Sequence, residues 1–153
     1  MISRKIDYAL RALIYLAARD GGRIAPLQEI ASDLGLPREF LAKILKSLTA
    51  SGLIRSTRGA HGGYVLAKSP RDISFLDAIE AAGGPVQINV CLDHKDACDA
   101  SSDCSMYHIW KKGQEQMLEV YRCTSLAALV KHESALVPLR IGAAKPEASR
   151  ARG

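Results

Sequence analysis

Cysteines are the residues of this sequence whose spacing most clearly indicates chemistry. Three of the four, Cys91, Cys98 and Cys104, fall within fourteen residues of a polar stretch, with His94 among them and His108 four residues after the last. The neighbouring side chains are mostly charged: Asp93, Lys95, Asp96, Asp99 and Asp103. A cysteine that only fills space is usually buried among apolar residues, whereas thiolates bind soft metals and iron–sulfur clusters. The pattern therefore predicts a metal or cluster site.

The gaps between the cysteines favour a cluster over zinc. Structural zinc sites usually contain two cysteines separated by two to four residues, and that pair is absent here. The gaps of six and five residues suit a loop that wraps a larger object. Three thiolates leave one ligand to be supplied by His108, His94, Asp7 of a partner subunit, Cys123 or an exogenous group. The alternatives are a zinc site and three unligated thiols that form a redox-switch disulfide; Cys123, late in a predicted helix, suits packing better than ligation.

Residues 27–52 have the pattern of two short helices joined by a tight turn. Apolar residues recur on one face of each helix, Gly35 suits the left-handed end of the first helix, and Pro37 suits the first position of the second. This is the geometry of a helix-turn-helix, whose second helix enters the DNA major groove. We therefore predict that the outward side chains of the second helix contact bases or phosphates: Arg38, Glu39, Lys43 and Ser47.

A glycine-rich tip follows the helix-turn-helix, between the β-type runs 53–57 and 64–66. In that position a hairpin is typical of the wing of a winged-helix domain. Arg58 and His61 are the candidate groove and backbone contacts, and an arginine in a narrow minor groove would read DNA shape. We expect Gly62 and Gly63 to let the backbone approach a phosphate closely, because glycine has no side chain.

The charge of the chain is uneven. Residues 1–72 contain 12 Lys and Arg against 6 Asp and Glu, whereas residues 73–153 contain 9 against 10. The basic half is therefore the half with the predicted DNA-binding elements, as expected of a partner for a polyanion. The longest apolar run near the N-terminus is much shorter than the ~20 residues of a membrane span. Without a signal-peptide pattern, and with no nucleophile elbow, P-loop or paired carboxylates, a cytoplasmic protein that is not an enzyme is expected.

The chain divides into four predicted parts. Residues 1–83 form a winged helix-turn-helix domain, residues 84–104 a cysteine-rich loop, residues 105–135 a dimerisation region and residues 136–153 a disordered tail. The fold class is mainly α with a small β wing. In the third part, a long helix capped by Ser105 runs to about Arg122, with an apolar stripe for a dimer contact. That stripe consists of Ile109, Gly113, Met117 and Val120.

Together these features resemble a known family. The helix-turn-helix, the wing, the three cysteines and the stretch that begins Asp7-Tyr8-Ala9 resemble the IscR/NsrR/RirA (Rrf-type) family of bacterial winged-helix regulators over about residues 1–135. The resemblance implies a homodimeric transcription factor that binds a double-stranded DNA operator. It also implies an iron–sulfur cluster that senses iron, cluster supply, nitric oxide or redox state.

The resemblance also suggests which residues hold the cluster. It carries three ligands onto Cys91, Cys98 and Cys104. IscR-like members close a [2Fe-2S] site with a histidine three residues after the last cysteine, where this chain has Tyr107, with His108 next to it. NsrR-like members close a [4Fe-4S] site with an aspartate early in the first helix of the other subunit, which Asp7 matches. The predicted function is a cluster-controlled DNA-binding regulator that acts as a repressor; the alternative is a cluster-free regulator controlled by thiol redox, zinc or a protein partner.

Overall fold

The computed structural model describes residues 3–19, 22–92 and 104–130. Within these ranges the chain forms six α-helices and one β-hairpin. In chain order they are α1 (Arg4–Ala17), α2 (Leu27–Leu34), α3 (Arg38–Ala50), β1 (Ile54–Thr57), β2 (Gly63–Leu66), α4 (Phe75–Gly83), α5 (Tyr107–Cys123) and α6 (Leu126–Val130). Short 3-10 turns lie at Pro70–Asp72 and Val90–Leu92. This architecture confirms the predicted mainly α fold with a small β wing.

Helix α1 lies at the centre of the core. It packs against α3, α4 and α6, which explains why apolar residues occur around most of its circumference. Eight of its residues are buried: Ile6, Tyr8, Ala9, Leu10, Ala12, Leu13, Tyr15 and Leu16. The ring of Tyr8 meets Phe40 edge to face, with 5.5 Å between centroids. That contact places the first turn of α3 against α1.

The helix-turn-helix forms as the sequence predicts. Gly35 ends α2 in the left-handed conformation, with φ of 63°. Pro37, expected at the first position of α3, is instead its N-cap residue. The inner face of α3 is buried through Leu41, Ile44, Leu45 and Leu48. Phe40, which is also apolar, is 37% exposed. It lies at the edge of the apolar stripe, where one side of its ring packs on Tyr8 and the other meets solvent.

The hairpin that follows α3 is a short antiparallel pair. Ile54 pairs with Leu66 and Thr57 with Gly63 across β1 and β2. The segment before α2 adds a single bridge to this hairpin, in which Ala25 and Tyr64 exchange two backbone hydrogen bonds of 2.9 Å. The bridge ties the wing to the segment before α2, so the wing has a fixed base next to the helix-turn-helix.

Capping explains where α4 begins, but the expected cap of α5 is wrong. Ser74 and Asp77 form a capping box, with hydrogen bonds of 2.8 and 3.0 Å. Helix α5 begins at Tyr107, and its N-cap residue is Met106, which makes no side-chain capping bond. Ser105 therefore lies in the turn before the helix. A serine hydroxyl caps only when the chain turns into the helix at that residue, which sequence spacing alone does not determine.

The segment after α5 returns to the DNA-binding domain. Phe75 N donates to Thr124 O at 2.7 Å, and Leu126 N donates to Ile73 O at 2.9 Å. The side chain of Leu126 is 0% exposed and belongs to the same core as α1. The predicted dimerisation region thus contributes a core residue to the domain. The predicted disordered tail, residues 136–153, lies outside the described residues, and no helix in the described ranges is long and apolar enough to cross a membrane.

An ionic cluster connects the end of α1 to α2. The hydroxyl of Tyr15 donates to Asp33 Oδ2 at 2.6 Å, and Arg19 contacts Tyr15, Glu29 and, at 3.6 Å, Asp33. Glu29 and Asp33 are four residues apart, so both carboxylates lie on the same side of α2. Burial, followed by the bond to Asp33, raises the pKa of Tyr15 to about 12. The cluster therefore fixes the angle between α1 and the first helix of the helix-turn-helix.

Replacing Tyr15 by phenylalanine is expected to lower the free energy of unfolding by about 1 kcal/mol, since it removes the hydrogen bond from the Tyr15 hydroxyl to the Asp33 carboxylate. Because the pKa of Tyr15 is raised in the folded state, the stabilisation that its hydroxyl gives the wild-type protein is fully present below pH 10. It is lost as the pH rises from 10 to about 12. Urea denaturation at pH 7 and at alkaline pH measures both effects. Tyr107→Phe, on the half-exposed first turn of α5, is the control; equal stability of both variants would contradict the assignment.

Candidate nucleic-acid interface and cysteine segment

The outward face of α3 presents charged side chains to solvent. Arg38, Glu39 and Lys43 are all exposed, as predicted for groups that meet DNA. Lys46 is also exposed and lies three residues after Lys43, so the two ammonium groups share one side of the helix. Lys46 is not among the predicted contacts. Its spacing of three residues from Lys43 was the signal in the sequence that could have predicted it. A row of exposed donors on a second helix can contact phosphates and base edges.

Ser47 lies apart from that row. It is half-buried, and its hydroxyl donates to the backbone carbonyl of Ala81 in α4 at 2.9 Å. The periodicity places Ser47 near the outer face of α3, but α4 packs against this part of the helix and supplies a carbonyl acceptor. The geometry directs the hydroxyl into the protein, so we leave Ser47 out of the surface proposed to meet DNA.

The wing carries its charged candidates at the tip. Arg58 and His61 are exposed, and Gly59 between them has φ of 111°, a conformation that favours glycine. Gly62 and Gly63 have an internal role in addition to any contact with DNA. A side chain at Gly62 would overlap the Thr57 carbonyl oxygen, and one at Gly63 would overlap the backbone of Ala25. Both glycines are therefore required for the hairpin to close on itself and on its base.

The cysteine segment connects α4 to α5. Cys91 lies in the turn Val90–Leu92, which packs beside α5, and Cys104 lies just before α5 begins. Both cysteines are half-buried, and neither forms a disulfide with another described residue. Cys98 and His94 lie outside the described residues. Among the described residues no three ligating side chains converge on one point. Two partly accessible thiols at the two ends of segment 93–103 fit the donor chemistry of an iron–sulfur cluster, which needs thiolates that one loop can bring together.

The two candidates for the fourth ligand have different surroundings. His108 is exposed in the first turn of α5, four residues after Cys104. Asp7 lies in the first turn of α1, where it accepts a hydrogen bond from Arg11 Nε at 2.9 Å. Ligation by Asp7 would replace this ion pair, whereas the side chain of His108 makes no hydrogen bond or ion pair with another described residue.

Cys123 has the features of a cysteine that does not bind metal. It lies at the last position of α5, a helix of 17 residues that is about 25 Å long, so it is far from Cys104 of its own chain. Its thiol donates to Glu119 Oε1 at 3.1 Å, and this bond to a carboxylate raises the pKa of Cys123. Because the thiolate is the ligating form, a raised pKa disfavours metal binding.

Comparisons with known proteins identify the family. Residues 2–132 match Rrf2, described as iron-dependent transcriptional regulators. The chain belongs to the Rrf2 family. It is 35% identical over 136 residues to a protein of Aquifex aeolicus named as an HTH-type transcriptional regulator, covering 87% of this chain and 93% of that one. The solved structure of CymR, the global cysteine regulator of B. subtilis, is also similar, with a TM-score of 0.71 and 31% identity, covering 86% of this chain and 97% of that chain. The structure of T. potens IscR is similar as well, with a TM-score of 0.69 and 30% identity, covering 86% of this chain and 87% of that chain.

Membership of the Rrf2 family establishes the general activity. Rrf2 proteins are DNA-binding transcriptional regulators, not enzymes, and the same holds for this chain. The family resemblance drawn from the helix-turn-helix, wing and cysteines is confirmed. The winged-helix fold is confirmed as well, by the structure and by its likeness to CymR.

Helix α5 of this Rrf2 protein has two different apolar faces. One face meets its own chain: Gln114 accepts a hydrogen bond from Ile88 N at 3.1 Å, and Met117 lines a cavity of about 340 Å³ with Ile6 and Ile79. The other face is open. Ile109 and Val120 are 69% and 62% exposed, and Gly113 lies between them on the same side. Met117, expected in this stripe, belongs to the first face.

Proposed function

We propose that this protein is a homodimeric, sequence-specific repressor whose DNA affinity is controlled by an iron–sulfur cluster. The observation that carries the proposal is the position of two half-buried thiols, Cys91 and Cys104, at the ends of the segment that joins α4 to α5. With Cys98 they provide three thiolates within one loop. A change in what this loop binds can alter how α5 sits on the DNA-binding domain.

The DNA surface consists of two parts in this proposal. The recognition helix α3 contributes Arg38, Glu39, Lys43 and Lys46, which are exposed on one side. The wing contributes Arg58 and His61, which flank the tip. Gly62 and Gly63 close the hairpin and keep the wing backbone free of side chains. Basic side chains set affinity through phosphates, whereas the first residues of the recognition helix are placed to read base edges.

Replacing Arg58 by alanine is expected to weaken DNA binding without unfolding the protein, because the exposed tip contributes little to the core. If the guanidinium contacts a phosphate, the slope of log K against log salt falls by about one unit. Fluorescence anisotropy with a duplex from the upstream region of its own gene, at several salt concentrations, measures both. Lys111→Ala, an exposed cation on α5, is the matched control. Equal affinity and slope in Arg58→Ala and wild type would remove Arg58 from the surface.

The dimer contact in this proposal is the open face of α5. Operators are usually read as paired half-sites, so a second copy is needed to place two recognition helices on one duplex. Ile109 and Val120 provide apolar area at the two ends of the stripe. Gly113 in the middle lets two helices cross closely, because it has no side chain.

The cluster is held by Cys91, Cys98 and Cys104, with His108 as the favoured fourth ligand and Asp7 of the partner subunit as the competitor. When bound, a [2Fe-2S] or [4Fe-4S] cluster supplies a group whose gain, loss or redox state follows iron or oxidants. The residues of this chain convert that change into a change in DNA affinity. The thiols hold the two ends of the loop. The free-energy difference between the cluster-bound and cluster-free forms appears as a difference in DNA affinity, typically about 5- to 150-fold.

Anaerobic purification tests this function directly. The expected protein is coloured, with visible absorbance and equal amounts of iron and sulfide, and it binds the duplex with different affinity before and after cluster removal. The likeness to CymR, a global cysteine regulator, favours a second candidate, a cluster-free regulator controlled by thiol redox, zinc or a protein partner. A colourless protein without iron would support that candidate and contradict the cluster.

A further inference from the structure

The last turn of α4 is the place where three parts of the molecule meet. Ser47 of α3 donates its hydroxyl to the carbonyl of Ala81 at 2.9 Å. Gly83 packs so closely on α1 that a Cβ there would lie 2.6 Å from Ile6 Cδ1. The chain leaves this turn at Gly84 and reaches Cys91 seven residues later. The recognition helix, the first helix and the start of the cysteine segment therefore share one point of contact.

The bond from Ser47 satisfies a carbonyl that α4 cannot satisfy itself. The last carbonyls of an α-helix lack partners within the helix. Gly84 N donates to Glu80 O at 2.8 Å, while Ala81 O receives its bond from α3. Apolar packing between two helices is non-directional, whereas a hydrogen bond requires a defined distance and angle. Ser47 therefore fixes the register between the recognition helix and the end of α4.

The segment that leaves α4 is short and is held at its other side. Gly84 has φ of 81° and ψ of −173°, which turns the chain away from the helix axis. Ile88 N then donates to Gln114 on α5. A displacement of the turn that contains Cys91 has only a few residues over which to relax before it reaches the end of α4. The bond between Ser47 and Ala81 is a directional contact between that end of α4 and the recognition helix.

We propose that Ser47 is a positioning residue that transmits changes in the cysteine segment to the recognition helix. This role rests on the proposed function, because it concerns the difference between two forms of the cysteine segment. Lys43 lies one helical turn before Ser47 on α3, so a rotation of α3 about this bond displaces the side chains that face DNA. Ser47 acts through Ala81 and α4 and does not itself touch DNA.

The test compares Ser47→Ala, Ser47→Thr and Thr49→Ala with wild type. Alanine keeps the helix intact because its helix propensity exceeds that of serine. Threonine retains the hydroxyl, and Thr49, whose hydroxyl donates only to Leu45 O of its own helix at 2.8 Å, is the matched control. Kd for the duplex is measured with each protein as isolated without oxygen and after iron is removed with a chelator. In Ser47→Ala the ratio of the two Kd values is expected to fall about two- to tenfold, the usual worth of one hydrogen bond.

The other outcomes are distinct. If Ser47→Ala weakens DNA binding equally before and after iron removal, so that the ratio of the two Kd values is unchanged, then Ser47 contacts DNA directly. That result would overturn the inference. Unchanged Kd values in both forms would overturn it as well. Ser47→Thr and Thr49→Ala are expected to keep the wild-type ratio, and loss of that ratio in Thr49→Ala would indicate a general effect of α3 and contradict a specific role of Ser47.

Hydrogen exchange without DNA separates this inference from the proposed function. Ser47→Ala is expected to speed exchange at the Gly84 and Ile88 amides about two- to tenfold, while Thr49→Ala leaves both unchanged. Unchanged exchange in Ser47→Ala would overturn the transmission role even with a functioning cluster. Equal Kd values for the two forms of wild type would overturn the proposed function, and faster exchange would still show that Ser47 holds the end of α4.

Discussion

Alanine in place of Cys91, Cys98 or Cys104 is expected to remove visible absorbance, iron and sulfide from the anaerobically purified protein. In the proposed site each thiolate bonds directly to iron, and we expect that a cluster that has lost one of three cysteine ligands is not retained by the remaining two. The DNA affinity of these variants should equal that of chelator-treated wild type. The measurement is an absorbance spectrum with iron and sulfide analysis, followed by anisotropy with the same duplex.

Cys123→Ala is the matched control for this experiment. Its thiol is bonded to Glu119 at the far end of α5, so the variant should keep the wild-type spectrum and iron content. Asp7→Ala and His108→Ala then decide the fourth ligand, and we expect the larger loss of iron in His108→Ala. Retention of iron by any of the three loop variants, or its loss only in Cys123→Ala, would contradict the assignment.

Glutamate in place of both Ile109 and Val120 is expected to convert a dimer into monomers. Each substitution would place an unpaired charge in an apolar contact between two copies of α5, at a cost of several kcal/mol. Sedimentation should show the mass of a single chain, and binding to a duplex with two half-sites should weaken strongly. Both side chains are more than 60% exposed, so neither substitution disturbs the core of one chain.

Lys111→Glu serves as the control for the dimer experiment. Lys111 is on the same helix, about half a turn around from Ile109, and its side chain is 57% exposed. Lys111→Glu changes the side-chain charge by more than the glutamate substitution at Ile109 or at Val120 does, and it should leave the dimer intact. A Met117 variant is unsuitable as evidence, because Met117 lines the cavity between α5 and its own domain. A dimer that survives the double variant would place the contact elsewhere.

Local physical chemistry explains which elements the sequence could predict by itself. Gly35 ends α2 because only its left-handed conformation closes the turn at low cost, and the Ser74–Asp77 box starts α4 because each side chain satisfies the other's backbone. Apolar periodicity determined the buried face of α3. The wing followed from three glycines between two β-type runs. Each of these signals depends on residues within a few positions of one another.

The tertiary structure decided what each face meets. Lys43 and Ser47 are one helical turn apart on α3, but it is Ser47 that meets a carbonyl from α4. Met117 and Val120 both belong to the apolar surface of α5, but only Met117 is covered by its own domain. Leu126 enters the core through backbone pairing with Ile73, far away in sequence. Periodicity defines the direction of a side chain around its own helix, and the neighbour in that direction is known only once distant elements pack together.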